Sequence, residues 1–265
     1  MSENTVLQEL VCWENQLTSL DVSQNTALQE LACFENKLTS LDVRQNPALQ
    51  KLSCWDNRLT ELDVSKNTEL TYLDCSYNRL TELDVSQNTK LTDVTLPNSV
   101  TKIGASAFNG CSLTTINFGQ GVKTIENSAF QNCGELTEII LPDATETLGQ
   151  NAFGDCPKLA KISLGKNMKT LEAYCFVGYS KGCPLLGDII CRATTPPTLK
   201  DDYGTGPFGG GWSPVAGKDV PAENRIIHLP KSADPVGGTG AYADSSWVKL
   251  TSSTYGFAFK YDVEG

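Results

Sequence analysis

The sequence predicts an α/β repeat solenoid: a right-handed superhelix of stacked rungs sharing one continuous parallel β-sheet. Three observations lead there. A 21-residue phrase beginning at Leu7 restarts at Leu28, Leu49 and Leu70, and a repeat this short cannot bury its apolar side alone, so its copies must stack. Within each copy Leu10 and Cys12 alternate with Val11 and Trp13, the period-two pattern of a strand with one buried face. Asparagines recur at fixed slots, Asn15, Asn36, Asn57, Asn78 and Asn25, Asn46, Asn67, Asn88, as columns running along the stack.

Each early rung has two similar halves, Leu-x-x-Leu-x-Cys-x-x-Asn and Leu-x-x-Leu-Asp-Val-x-x-Asn. The first half supplies the strand and the second the return. Where the chain turns a buried corner its N–H and C=O groups lose their strand partners, and an asparagine amide, both donor and acceptor, can satisfy them from rung to rung. The asparagine columns are therefore structural.

From Leu91 the period lengthens to about 22–23 residues. Leu91 opens a phrase that ends in Ala107-Phe108 and Cys111, and it recurs from Leu113, Leu136 and Leu159. Phe108, Phe130, Phe153 and Phe176 each follow a small residue and precede a turn, which predicts a short helical turn pressing a ring into the core. Extra residues around Tyr179–Gly182 predict a bulged loop, and Leu186 to Cys191 close the series. The shared strand slots argue for one sheet of about nine strands. The expected organisation is residues 1–90 (21-residue rungs), 91–199 (longer rungs continuous with them) and 200–265, a Gly- and Pro-rich segment capping the last open rung. Residues 200–225 read as loop rather than core, Arg225 to Pro230 as a strand, and Trp247 to Val263 as one or two more.

Composition narrows function. The net charge is −10 and the isoelectric point about 4.7. Residues 1–90 carry fourteen Asp/Glu against seven Lys/Arg, a surface that repels a phosphate backbone, so nucleic acid is not expected as a partner. No apolar run is long enough to cross a bilayer. Met1 to Val6 lack the pattern of a secretion leader; a trimmed export signal and a cytosolic chain both fit that. Of the ten cysteines, Cys12, Cys33, Cys54 and Cys75 hold one strand slot, while Cys111, Cys133, Cys156 and Cys183 sit at repeat turns. No Cys-x-x-Cys pair occurs, so these read as unpaired core thiols rather than zinc ligands.

The pattern Leu-Pro-x-x-Val-x-x-Ile-x-x-x-Ala-Phe-x-x-Cys-x-x-Leu, over roughly residues 91–199, closely resembles the BspA-like leucine-rich repeat of bacterial surface proteins. Residues 7–90 are similar to the internalin-type leucine-rich repeats that often accompany it, with cysteine in place of the usual strand leucine. The ending, with Cys191-Arg-Ala-Thr-Thr-Pro-Pro, Ile226 to Ser232, Tyr242 and Trp247, resembles the terminal segment of such proteins. The resemblance implies a secreted or cell-surface binding protein with an adhesive role, and the family has no catalytic residues to carry over.

The residues themselves offer little chemistry. His228 is the single histidine, with no nucleophile pattern near it, so no enzyme, metal or cofactor is expected. Asp21, Asp42, Asp63 and Asp84 form an outward column of like charges, which Ser23, Arg44, Ser65 and Ser86 with the turn amides can offset without calcium. The column that stands out is aromatic. Trp13, Phe34 and Trp55 follow the strand cysteines and point outward, beside Glu14, Glu35 and Asp56, with Ser76 and Tyr77 in the fourth rung. Exposed aromatic area on a sheet face marks a binding surface, although rings on successive rungs can also pack on one another. The expected ligand is a protein bound by a monomer through the concave sheet face at Trp13, Phe34, Trp55, Tyr77, Glu14, Glu35 and Asp56. A glycan stacked on the rings, or a purely structural spacer, are the alternatives.

Overall fold

The computed structural model describes residues 4–177, 180–200, 206–209, 218–219, 224–233, 242, 246–251 and 257–263. Tyr179, at the centre of the bulged loop expected from the sequence, lies outside them. Alternation places one strand per rung on the principal side: β1 (Glu9–Val11), β2 (Glu30–Ala32), β3 (Lys51–Ser53), β4 (Tyr72–Asp74) and β5 (Asp93–Thr95). All are parallel and in register, so Leu10, Leu31, Leu52, Leu73 and Val94 stack in a single inward row. From β5 on, each rung contributes two strands. The principal side continues with β7 (Thr115–Asn117), β9 (Glu138–Ile140), β11 (Lys161–Leu164) and β13 (Asp188–Cys191). The other side carries β6 (Lys102–Ile103), β8 (Thr124–Ile125), β10 (Thr147–Leu148), β12 (Thr170–Leu171) and β14 (Thr198–Leu199), a second parallel sheet.

Two expectations change here. The principal sheet runs as two hydrogen-bonded ladders, one ending at β7 and one starting at β9. The turn Cys111–Leu113 is one residue shorter than Cys133–Leu136, and Phe118 fills the slot held by Leu96 and Leu141, edge-on to Phe130 at 5.5 Å. In place of the helical turns, residues 104–111 form successive single turns. The N–H groups of Ala107, Asn109 and Cys111 bond three residues back, while those of Ser106, Phe108 and Gly110 bond to Asn127, Ala129 and Gln131 of the next rung. A helix needs every N–H within its own turn; here alternate ones tie rung to rung. Ser106 and Gly110 take left-handed backbone to permit it, with φ of +59° and +72°.

A single apolar core runs from Leu10 to Phe257 without a break at Leu91. Its spine in the second half is a column of rings, Phe108, Phe130, Phe153 and Phe176, with neighbouring centroids 4.8, 5.2 and 6.2 Å apart and planes within 12° of parallel. The column continues into the C-terminal segment. Phe208, expected in a loop, is buried with its ring 5.1 Å from Phe176. Tyr174 and Phe176 donate their N–H groups to Gly206 and Pro207, as earlier rungs do to the Ala-Phe turn. Pro207-Phe208 is thus one more copy of that turn. Strands β15 (Ile226–Pro230) and β16 (Ala258–Val263) extend the principal sheet in parallel. Of the segment expected to supply one or two strands, Ala258–Val263 is a strand and Ser246–Thr251 a short 3-10 helix. The helix sets Trp247 in the core, its indole N–H donating to Pro197 O at 2.7 Å, and the buried Tyr242 hydroxyl donates to Ala193 O at 2.7 Å.

Candidate binding face

The strand-end corner of each early rung fixes where the candidate residues point. Asn57 donates through its amide to Cys33 O, Cys54 O and Trp55 O, and its carbonyl accepts the N–H of Leu38 at 3.0 Å. Asn36 and Asn78 repeat the arrangement. The corner residue ahead of each asparagine is forced into left-handed backbone: Glu14, Glu35, Asp56 and Tyr77 have φ of +50°, +52°, +48° and +51°. Glutamate has no intrinsic preference for that region, unlike glycine or asparagine.

One residue earlier stand Trp13, Phe34 and Trp55, on the outer side of the sheet. Trp13 is 41% exposed, and Phe34 and Trp55 are half-buried. The rings stack face to face, Trp13 on Phe34 at 5.5 Å and 4°, Phe34 on Trp55 at 4.7 Å and 10°. The self-packing reading of the column therefore describes a contact that exists, and it has a consequence for ligands. Both flat faces of Phe34 are covered, so between the terminal faces of Trp13 and Trp55 the column is a ridge of ring edges. Ser76 occupies the same slot in the fourth rung, and the stack ends there. Tyr77 stands in the row of Glu14, Glu35 and Asp56, not with the rings, and is 71% exposed. Two further outward residues share this face, Val11 at 52% and Tyr72 at 38% exposed. Alternation already marks Val11 as outward, and the same signal could have added both to the candidate site.

The second asparagine column secures the opposite turn. Asn46, Asn67 and Asn88 each donate to two backbone oxygens of the preceding rung, at 2.7–3.0 Å. Where asparagine gives way to cysteine the same turn is held by thiols. The Sγ–H of Cys111 points to Asn88 O, those of Cys133 and Cys156 to Phe108 O and Phe130 O at 3.2 Å, and that of Cys183 to Phe153 O at 3.1 Å. All ten cysteines are free, and only Cys12 is less than fully buried. Burial pushes the Cys33 and Cys75 thiols up to about 12, far from the reactive thiolate range. The aspartate column is locally satisfied. Ser23, Arg44, Ser65 and Ser86 donate their N–H groups to Asp21, Asp42, Asp63 and Asp84 at 2.9–3.0 Å. The Arg44 side chain and backbone hold Asp42 down at about 2. His228 is bracketed by carboxylates, its Nδ1 2.8 Å from Asp262 and its Nε2 3.4 Å from Asp188, a bridge across β13, β15 and β16 with no nucleophile in it.

A parallel sheet built from leucine slots at a fixed period, with asparagine corners, defines a leucine-rich-repeat solenoid. Residues 83–185 match the BspA type leucine rich repeat region and residues 47–98 match leucine rich repeats. Residues 47–185 are thus leucine-rich repeats, of the BspA type from residue 83 on. Among solved structures it is similar to the functional domain of InlJ from Listeria monocytogenes, described as including a cysteine ladder. The identity is 27% and the TM-score 0.57, over 89% of this chain and 48% of that one. Two further similar structures are the pneumococcal vaccine antigen PcpA (16% identity, TM-score 0.46, 98% of this chain and 68% of that one) and the internalin InlF from Listeria monocytogenes (16%, 0.42, 76% and 51%). The chain spans about half the length of the InlJ structure. No curated protein matches it. No helix among the described residues is long and apolar enough to cross a membrane.

Proposed function

We propose that the chain is a non-enzymatic recognition module of a bacterial surface or secreted protein, and that it binds a protein ligand through the outer face of β1–β4. The observation that carries this is the outward ridge of the exposed Trp13 and the half-buried Phe34 and Trp55, joined on the same face by the exposed Val11 and Tyr72. Aromatic side chains with Glu14, Glu35, Asp56 and Tyr77 beside them supply the apolar centre and polar rim of an interface. The likeness to InlJ supports a binding scaffold, and the BspA-type repeats support a surface setting. Ring geometry favours protein over glycan. A sugar stacks on a flat aromatic face, and Phe34 has both faces occupied by its neighbours, whereas ring edges fit the side chains of a protein surface.

A glycan array probed with the wild-type chain and with Trp55→Ala tests the choice. The expected result is silence across the array. Glycan binding that disappears in Trp55→Ala would instead establish a carbohydrate site.

A further inference from the structure

Along the stack, charge is handled in two ways. In the second half, carboxylates meet a cation from the next rung, Glu135 with Lys158 at 2.6 Å, Glu138 with Lys161 at 3.0 Å on the principal sheet, Glu146 with Lys169 at 2.6 Å on the other side, and Asp143 with Lys166 at 3.4 Å, while Arg192 from two rungs on also reaches Asp143 at 3.1 Å. The first three rungs make such a pair at one strand slot, Glu30 with Lys51, and leave Glu9, Glu14, Glu35 and Asp56 without one among the described residues. Their outer face carries Glu9, Glu14, Glu30, Glu35 and Asp56 against Lys51 alone, and Lys51 is paired with Glu30 at 3.3 Å. The first cationic side chain in the sequence is Lys37. The basic row Lys37, Arg58 and Arg79 lies past the asparagine corner, and among the described residues no cation comes within 4 Å of Glu9, Glu14, Glu35 or Asp56.

The acidic row next to the rings is also held at a backbone cost. Glu14, Glu35 and Asp56 occupy left-handed corners, about 4.8 Å apart from rung to rung if they follow the strand spacing. Like charges at that spacing repel, and asparagine or glycine would relieve both the repulsion and the backbone strain. Unneutralised charge beside an outward apolar ridge points to a ligand that supplies the missing cations.

Resting on the binding face proposed above, we infer that its partner is a polypeptide segment with lysine and arginine around an apolar centre. The apolar side chains seat on the edges of Trp13, Phe34 and Trp55, and the cations sit against Glu14, Glu35 and Asp56. Such an interface associates faster at low ionic strength and loses affinity as salt screens it.

The test is selection of a displayed random 16-residue peptide library on the whole chain in chelator. Selected peptides are then titrated against wild type, Trp55→Ala, the triple variant Glu14→Gln/Glu35→Gln/Asp56→Asn, and a control Glu135→Gln/Glu138→Gln. Circular dichroism melts confirm that each variant is folded. The expected peptides combine Lys/Arg with aromatic or branched apolar residues. Binding should weaken at least about tenfold in the triple variant at low salt, be lost in Trp55→Ala, and be unchanged in the control. Neutral or acidic peptides lost with Trp55→Ala but indifferent to the triple variant would overturn the cationic partner and leave the binding face standing. Peptides indifferent to Trp55→Ala, or no enriched peptide at all, would overturn both. Binding that appears only when calcium replaces chelator would overturn the inference in favour of a metal-bridged contact.

Discussion

The 21-residue rungs and the longer rungs after Leu91 solve one structural problem with different residues. Both stack a parallel strand around one inward aliphatic row, and both must satisfy the backbone at a buried turn. The early rungs use the amide of Asn46, Asn67 or Asn88, giving two hydrogen bonds to the preceding rung. The later rungs use a thiol with one weaker bond and add a second sheet and a phenylalanine column. The difference teaches where stability is lodged: in hydrogen-bonded corners in the first half, and in apolar packing in the second. It also separates roles, since the half with the leaner core keeps its rings and carboxylates on the outside.

That comparison can be broken most forcefully at the phenylalanine column. Phe153 is fully buried between Phe130 and Phe176, and Phe153→Ala should cost about 3–5 kcal/mol in denaturant unfolding. Next in size is Asn67→Ala, which strips donors from Val43 O and Asn46 O and should cost about 2–3 kcal/mol. Asn67→Cys sharpens the point, because restoring one weak donor should recover part of the loss; equal destabilisation by Cys and Ala would show that the thiol column is packing only. Cys156→Ala should cost about 1 kcal/mol, the smallest of these core changes. With nine of the ten thiols buried, iodoacetamide at pH 8 should label native Cys12 first and the other cysteines only on unfolding.

The smallest effect is at the aspartate turns. Asp42 is depressed to about 2 in the folded chain, below an unfolded aspartate near about 3.9. Its contribution is therefore present above about pH 4 and is lost as pH falls toward 2. Because Asp42 is exposed and its partner is only two residues away, Asp42→Asn should flatten the acid limb of a pH–stability curve only slightly, and salt should erase the difference.

Much of this architecture is legible in the residues. Leu10, Leu31, Leu52 and Leu73 declare the rung by period alone, and the asparagine columns declare the corners, because both features repeat. The second sheet was not legible: strands as short as Lys102–Ile103 leave too little alternation to read. Phe208 was hidden because the residues between β14 and its turn break the spacing on which the other phenylalanines are recognised. At the candidate face, the column of Trp13, Phe34 and Trp55 was readable, but two decisive properties were not. Face-to-face stacking depends on side-chain torsions, and the left-handed backbone of Glu14 and Glu35 is imposed by the corner against the preference of the residue.

The central claim is that the early rungs recognise a partner and the later rungs support them. Hydroxyl-radical footprinting of the chain, alone and with a selected peptide, tests it most directly by reading side-chain exposure ring by ring. The account predicts that Trp13, Trp55 and Tyr72 oxidise in the free chain and are protected in the complex, while Ile140 and Leu185, exposed on later rungs, oxidise equally in both. Protection of Ile140 or Leu185 with Trp13 and Trp55 unchanged would contradict it.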